Sequence, residues 1–185
     1  MLEESCQALI MKNSSAADHV LEQEEEVVDP IYKTLVDFVN RLVQEDLSIN
    51  QQKRCFQIKN LLVDIERVGD MAEDIAQFAM ERIRNSVPFS PQAIEELQQL
   101  GQHAHCTFLS AIRAFQENDK CLAGKVCEME GEFDKLYWQT RQRHIERLEK
   151  GICNPQANVI FTETLRNLER ISDHADNLGV SVMRA

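Results

Sequence analysis

Residues 63–75 read Val-Asp-Ile-Glu-Arg-Val-Gly-Asp-Met-Ala-Glu-Asp-Ile, and residues 166–178 repeat the pattern as Arg-Asn-Leu-Glu-Arg-Ile-Ser-Asp-His-Ala-Asp-Asn-Leu. A second pair of stretches precedes them in the same order: residues 25–32, Glu-Glu-Val-Val-Asp-Pro-Ile-Tyr, align with residues 130–137, Glu-Gly-Glu-Phe-Asp-Lys-Leu-Tyr. Motifs that recur in the same order indicate an internal repeat. The chain of 185 residues is therefore predicted to consist of two equivalent halves.

The repeated stretches have the apolar spacing of helices. Apolar residues recur in them at steps of three and four, which places them on one helix face and does not fit the alternation of a strand. Elsewhere, short groups of Asn, Ser, Gly and Pro mark interruptions between helices. The predicted helices span residues 2–12, 15–46, 48–85, 91–117, 119–150 and 155–184.

Short connections between successive helices favour antiparallel packing. We therefore predict an all-α fold of two tandem three-helix bundles, one over residues 1–86 and one over residues 87–185. The first predicted helix is much shorter than its counterpart over 91–117, and we interpret it as truncated; the alternative is a naturally short first helix. Pro30 falls inside the second predicted helix, where a proline removes a hydrogen bond and predicts a kink.

The charge balance restricts the classes of partner. The chain has 20 basic and 31 acidic residues and a formal net charge of −11, so its surface would repel a phosphate backbone. Nucleic acid is therefore excluded as a partner, whereas cations or a basic protein surface are favoured. The six cysteines include no Cys-x-x-Cys spacing, and no apolar run has the length of a membrane helix.

Acidic residues recur at matched positions of the two halves. A Glu-x-x-x-Asp spacing occurs on two predicted helices of each half, and residues four apart share one helix face. Two such pairs on packed helices would form a patch of four carboxylates, whose mutual repulsion a bound cation would relieve. The predicted metal ligands are Glu25, Asp29, Glu66 and Asp70 in the first half and Glu130, Asp134, Glu169 and Asp173 in the second.

The chemistry of these side chains narrows the choice of ion and of function. Oxygen ligands favour hard or borderline ions such as magnesium, calcium, manganese or iron. In an alternative interpretation the carboxylates are only the solvated face of acidic helices, as most helical charge runs are. The sequence has no Glu-x-x-His, glycine-rich phosphate loop or nucleophile motif, which disfavours a third hypothesis, a carboxylate-bridged metal hydrolase or oxidase.

The motifs resemble those of the PhoU family. Residues 169–177, Glu-Arg-Ile-Ser-Asp-His-Ala-Asp-Asn, and residues 66–74, Glu-Arg-Val-Gly-Asp-Met-Ala-Glu-Asp, are similar to its signature Glu-Arg-Ile-Gly-Asp-x-Ala-x-Asn. Residues 130–137 resemble its other acidic helix. The first half departs from the pattern at Asp74, which replaces the usual Asn, and at Pro30, which follows a predicted ligand.

The resemblance implies a fold, a cofactor and a role. The fold is two three-helix bundles, and the cofactor is a multinuclear metal cluster on the acidic motifs. The implied metal is iron or zinc, with magnesium, manganese and nickel as alternatives. The implied role is regulatory and non-enzymatic, in phosphate uptake, and the habit of the family together with the prevalence of two-fold oligomers favours a homodimer.

Two hypotheses follow about the protein that carries this domain. Residues 2–9, Leu-Glu-Glu-Ser-Cys-Gln-Ala-Leu, resemble the junction between membrane helices and a PhoU-like domain in bacterial sodium/phosphate cotransporters. Our main hypothesis is therefore a cotransporter's regulatory domain, at the cytoplasmic face of the inner membrane as part of a membrane protein. Its partners would be the membrane part of the transporter and, as a candidate ligand, phosphate. The alternative is a free-standing PhoU-type regulator of an ATP-driven phosphate transporter and its sensor kinase.

Overall fold

The computed structural model describes residues 1–184, and every regular element in this range is helical. The predicted all-α fold is therefore confirmed. Within the same range, no helix combines the length and the apolar character needed to cross a membrane. The elements, in chain order, are α1 Leu2–Met11, α2 Ser14–Gln23, a π turn Glu24–Val28, α3 Asp29–Leu42, α4 Ile49–Arg84, α5 Pro91–Glu117, α6 Lys120–Glu149 and α7 Pro155–Met183.

The second predicted helix is the one that differs from the prediction. A single helix was expected over residues 15–46, whereas α2, the π turn and α3 form one segmented helical rod that ends at Leu42. Pro30 is the second residue of α3. A proline has no N–H group and its ring collides with the carbonyl four residues earlier, so an α-helix cannot pass through it unchanged. The predicted disruption at Pro30 takes the form of a π turn.

The two repeats are matched at their first connection. α1 and α5 both end in a residue with left-handed backbone, Lys12 at φ 56° and Asn118 at φ 51°. In both cases the next residue, Asn13 or Asp119, caps the following helix with its side chain. Because α1 has ten residues and α5 has 27, α1 corresponds only to the last third of α5.

One hydrophobic core extends through both repeats. The predicted boundary at residue 86 lies between α4 and α5, but buried residues from both sides of it belong to one cluster. Members from five helices are Leu9, Ile75, Leu100, Phe133 and Leu168. The two predicted bundles therefore share their interior.

Polar contacts also join α4 and α7, the last helices of the two repeats. Nδ1 of His174 lies 2.8 Å from Oδ1 of Asp64. Near the other end of the contact, the Asn167 amide donates a hydrogen bond of 3.3 Å to Asp74. These two helices carry half of the predicted ligands, so their packing fixes the positions of both acidic sites.

Candidate functional site

The predicted ligands of the second half lie together on α6 and α7. Glu130 and Asp134 are one turn apart on α6, as are Glu169 and Asp173 on α7. The negative charges of the other three residues all act on the carboxyl group of Glu130. The structure thus groups the four residues, and together with Asp176 we call them the second acidic cluster.

Burial and mutual repulsion raise the pKa of three carboxyl groups in this cluster. For Glu130, Glu169 and Asp173, burial is the largest cause, because desolvation disfavours the charged form. Neighbouring carboxylates raise each pKa further. Asp176 is one of these neighbours for Glu130 and Asp173, although the Glu-x-x-x-Asp spacing does not predict it as a member.

The first half forms an equivalent first acidic cluster in which Glu24, and not Glu25, takes the place of Glu130. Glu24 is only 5% exposed, whereas Glu25 lies on the surface. The carboxylates that act on Glu24 occupy the same repeat positions as those around Glu130. They are Asp29, Glu66, Asp70 and Glu73.

The π turn explains why Glu24, and not Glu25, belongs to the first acidic cluster. In an α-helix, residues four apart share a face, and Glu25 would then lie on the side of Asp29. In the π turn the Asp29 N–H group donates to the Glu24 carbonyl, five residues back. The extra residue rotates the upstream part of the rod, so Glu24 faces α4 and Glu25 does not.

Glu24 is an unusual residue because its carboxyl group is buried without a partner. Among the described residues, neither of its side-chain oxygens has a hydrogen bond. Burial, followed by the charges of Asp70 and Glu73, raises the pKa of Glu24 from 4.5 to about 7. A buried carboxylate without hydrogen bonds is costly, so this group calls for a proton or a cation.

Gly69 makes room for the Glu24 side chain. A Cβ atom at Gly69 would lie 2.6 Å from Oε2 of Glu24, a distance that real contacts do not show. The counterpart of Gly69 in α7 is Ser172, whose hydroxyl oxygen is buried and has no hydrogen-bond partner within the described part of the chain. The two acidic clusters therefore differ at this matched position, which is Gly69 in α4 and Ser172 in α7.

Basic residues next to the clusters moderate the negative charge. Nζ of Lys33 lies 2.6 Å from Oδ2 of Asp29, and this contact raises the pKa of Lys33. The charges of Arg67 and Arg170 oppose the rise in pKa of the neighbouring glutamates and of Asp70. Burial and carboxylate repulsion still outweigh them, so both clusters keep an excess of negative charge.

The present side-chain arrangement brings the carboxylates near one another without forming a ready-made coordination shell. Among residues 1–184, no three His, Cys, Asp or Glu side chains are placed to hold one metal ion together. The metal-ligand assignment of Asp29, Glu66, Asp70, Glu130, Asp134, Glu169 and Asp173 stays a prediction. Glu25 is the predicted ligand that the structure leaves outside the clusters.

Three further ionisable groups are either protonated thiols or paired. Burial raises the pKa of the Cys6 and Cys127 thiols to about 12, so both stay protonated at neutral pH and are poor nucleophiles. His174 follows Asp173 in sequence but pairs with Asp64 across the contact between α4 and α7. The two thiols are therefore protonated at neutral pH, and His174 has a partner on α4.

The fold and the site together define a class: an acidic, all-helical, two-repeat protein with a carboxylate cluster in each repeat. A family model described as PhoU domain matches residues 1–79 and 97–182, a span that includes both clusters. The chain belongs to the PhoU family.

Individual relatives align along nearly the whole chain. It is 24% identical to the phosphate-specific transport system accessory protein PhoU homolog 1 of Thermotoga maritima, over 98% of this chain and 78% of that protein. It is 26% identical to the corresponding homolog of Pseudomonas aeruginosa, over 98% of this chain and 74% of that protein.

Two crystal structures have the same fold. That of PhoU from Pseudomonas aeruginosa gives a TM-score of 0.89 at 24% identity and covers 98% of this chain and 86% of its own. That of the phosphate transport system regulatory protein PhoU from Streptococcus pneumoniae gives 0.85 at 17% identity and covers 98% and 84%. The two-repeat helical architecture is therefore that of PhoU proteins.

Proposed function

We propose that this protein regulates phosphate uptake as a non-enzymatic accessory component of a phosphate-specific transport system. The observation that carries the proposal is the match to the PhoU domain over both repeats. It is supported by relatives that are described as accessory proteins of phosphate-specific transport systems and that align with 98% of this chain. Its candidate partners are the transporter itself, an ATP-driven one in our alternative hypothesis, and the associated sensor kinase.

The comparisons favour this hypothesis over a domain of a sodium/phosphate cotransporter. The similar proteins are described as accessory proteins of phosphate-specific transport systems, and their descriptions do not mention sodium. The regulatory role in phosphate uptake is common to both hypotheses. The identity of the membrane partner is what separates them.

The two acidic clusters are the proposed sites of action, and a bound cation is their proposed cofactor. The support is the chemistry of the donor set: five carboxylates in each cluster, one of them the buried and unpartnered Glu24. Oxygen donors suit hard and borderline cations, and the family resemblance points to iron or zinc. When bound, the cation supplies positive charge that offsets carboxylate repulsion.

The protein's own residues have separate tasks in this proposal. Glu24 supplies the most enclosed carboxylate of the first cluster, and Gly69 leaves the space into which it folds. Half-buried Glu130 takes the matching position in the second cluster. Asp70 and Asp173 present exposed carboxylates at the rim, where a phosphate ion or a side chain of the transporter could reach the bound cation. Charge neutralisation would fix the spacing of α3 and α4, and of α6 and α7.

A complementation experiment tests the regulatory role. Phosphate uptake is measured in source cells that lack the gene and in the same cells carrying wild type, the double variant Glu130→Ala/Asp173→Ala, or the exposed control Glu25→Ala. Deletion is expected to change uptake, and wild type and Glu25→Ala to restore it, whereas the double variant fails. Unchanged uptake after deletion would refute the regulatory role, and full restoration by the double variant would refute the role of the cluster.

A further inference from the structure

The two acidic clusters differ in one basic residue. Lys33 lies one turn after Asp29 on α3, and its ammonium group contacts Oδ2 of Asp29 at 2.6 Å. The matched position on α6, one turn after Asp134, is the uncharged and exposed Trp138. Within residues 1–184, no ion pair involves Asp134. One carboxylate of the first cluster is therefore already paired with a cation of the chain, whereas its counterpart in the second is not.

The arginines beside the clusters do not create this difference. Arg67 and Arg170 occupy matched positions directly after the motif glutamates of α4 and α7, and each acts on the glutamate before it. Their contributions to the two clusters are therefore similar. The ammonium group of Lys33, by contrast, acts on Glu66 as well as on Asp29. Its charge is thus felt on both helices of the first cluster.

The clusters also differ in how far the central glutamate is withdrawn from the surface. Both carboxyl oxygens of Glu24 are buried, and Oε2 lies so near α4 that a Cβ atom at Gly69 would be 2.6 Å from it. On α7 the matched residue Ser172 has a side chain, and Glu130 stays half-buried. A cation can therefore approach Glu130 directly, but it can reach Glu24 only after that side chain has turned away from α4.

Each cluster nevertheless has a buried polar group that lacks a hydrogen-bond partner among the described residues. In the first cluster it is the carboxyl group of Glu24, and beside the second it is the hydroxyl group of Ser172, a residue only 1% exposed. Such groups are costly and are normally paired. Both clusters therefore contain an atom that a bound cation or its hydration water could satisfy.

The number of available carboxylate charges is one of the quantities that set the affinity of an oxygen-ligand site for a cation. We propose that the second acidic cluster is the tighter cation site and that two internal contacts, Lys33 with Asp29 and Glu24 with Gly69, hold the first cluster in a low-affinity form. This inference rests on the proposed function, because it takes both clusters to be cation sites. The second cluster then stays loaded, and the first responds to a rise in cation concentration.

Titration calorimetry of the chelator-treated full chain with Mn²⁺ tests the proposal. Mn²⁺ is the probe because it prefers oxygen ligands and is not selected by thiols, of which the chain has six. Wild type is expected to show two classes of site whose dissociation constants differ at least tenfold. Asp173→Ala should remove the tighter class and leave the weaker one, which assigns the tighter class to the second cluster.

Exchanging the one basic residue between the repeats tests its role. Lys33→Trp should tighten the weaker class at least threefold, and Trp138→Lys should weaken the tighter class at least threefold, because an ammonium group competes with the ion and repels it. Both side chains are exposed, so both variants are expected to fold. The matched control is Lys59→Met, which removes an exposed ammonium group whose contact is the amide of Asn40. It should leave both classes unchanged.

Three results would overturn the inference, and they separate it from the proposed function. Equal affinity of the two clusters in wild type would refute the low-affinity form of the first cluster. A shift in Lys33→Trp no larger than that in Lys59→Met would refute the role of Lys33. Either result would leave the clusters as cation sites. Folded wild type that binds no Mn²⁺ would overturn both the inference and the proposed cation sites.

Discussion

The rod that carries the first acidic cluster contains a π turn, whereas α6, which carries the second, runs as an unbroken α-helix from Lys120 to Glu149. Both nevertheless place a glutamate at the centre of a group of four other carboxylates. In the first repeat this glutamate is five residues before the aspartate of the pair, and in the second it is four residues before. Equivalent sites have been built with different local backbone geometry.

The two repeats show when residue spacing predicts which side chains share a helix face. Counting by four places Glu130 and Asp134 on one face, and the structure has both in the second acidic cluster because α6 stays in the α conformation. The same count selects Glu25 in the first repeat and misses Glu24, because one residue is inserted within the π turn. A helical spacing rule is valid only while the hydrogen-bond pattern of the helix is unchanged.

The largest expected difference between the repeats concerns the core. Leu168 is fully buried, and Leu168→Ala should lower the free energy of unfolding by about 2–5 kcal/mol. Its counterpart Ile65 is only half-buried, so Ile65→Ala should cost about 1–2 kcal/mol. Urea unfolding of both variants checks the order. Equal losses would show that the first repeat is packed as firmly as the second.

The next effect concerns the charge on Glu24. Its folded pKa of about 7 exceeds its ordinary value of 4.5, so the folded state binds the proton more tightly. The contribution of this proton to the free energy of unfolding is fully present below about pH 4.5 and is lost as the pH rises towards 7. In chelator-treated protein, Glu24→Gln should therefore be more stable than wild type at pH 8, by about 1–3 kcal/mol, and similar at pH 4.5.

Thermal or urea unfolding at the two pH values measures this difference. Glu130→Gln serves as the matched variant of the second repeat, where the pKa is also raised by burial and carboxylate neighbours. An advantage of Glu24→Gln that is the same at both pH values would contradict the linkage to a buried carboxyl group.

A smaller effect is expected at the matched position that is Gly69 in α4 and Ser172 in α7. Ser172→Ala removes a buried hydroxyl group without a partner and improves helix propensity, so it should stabilise the protein by about 0.5–1 kcal/mol. Gly69→Ala places a methyl group against the Glu24 carboxylate and should displace that side chain. Loss of stability in Ser172→Ala, measured by calorimetry, would indicate that the hydroxyl has a partner in solution.

The smallest effect should come from Glu25→Ala. Glu25 is exposed and outside the first acidic cluster, so stability should change by less than about 0.5 kcal/mol at either pH. Metal-dependent stabilisation should be unaffected too. A loss of that stabilisation equal to the loss in Glu24→Ala would restore Glu25 as a ligand.

The sequence predicts most of the fold because apolar periodicity and the repeat are both strong signals. It predicts the second cluster for the same reason, apart from Asp176, which follows Asp173 by three residues and escapes a search for spacings of four. The register of the first cluster depends on the π turn. Pro30 and the run of glutamates at residues 24–26 were signals that the α register could shift there, but they do not say by how much.

The exposed apolar residues Ile31, Leu35 and Phe38 of α3 show a different limit. Their spacing of four and three residues is visible in the sequence and predicts an amphipathic helix. That spacing is the same whether or not a neighbour covers the residues. The structure was needed to establish that α4 packs against the adjoining face of α3, at Val39.

Element-resolved mass spectrometry of protein purified without chelator or a metal-affinity column tests the central claim most directly. Wild type is compared with a Glu130/Asp134/Glu169/Asp173 quadruple alanine variant, and Glu24→Ala with its surface control Glu25→Ala. Wild type and Glu25→Ala should contain near-stoichiometric iron or zinc, with less in the quadruple variant and in Glu24→Ala. Folded wild type that is free of metal, or equal metal in all four proteins, would contradict the claim that the acidic clusters are cation sites.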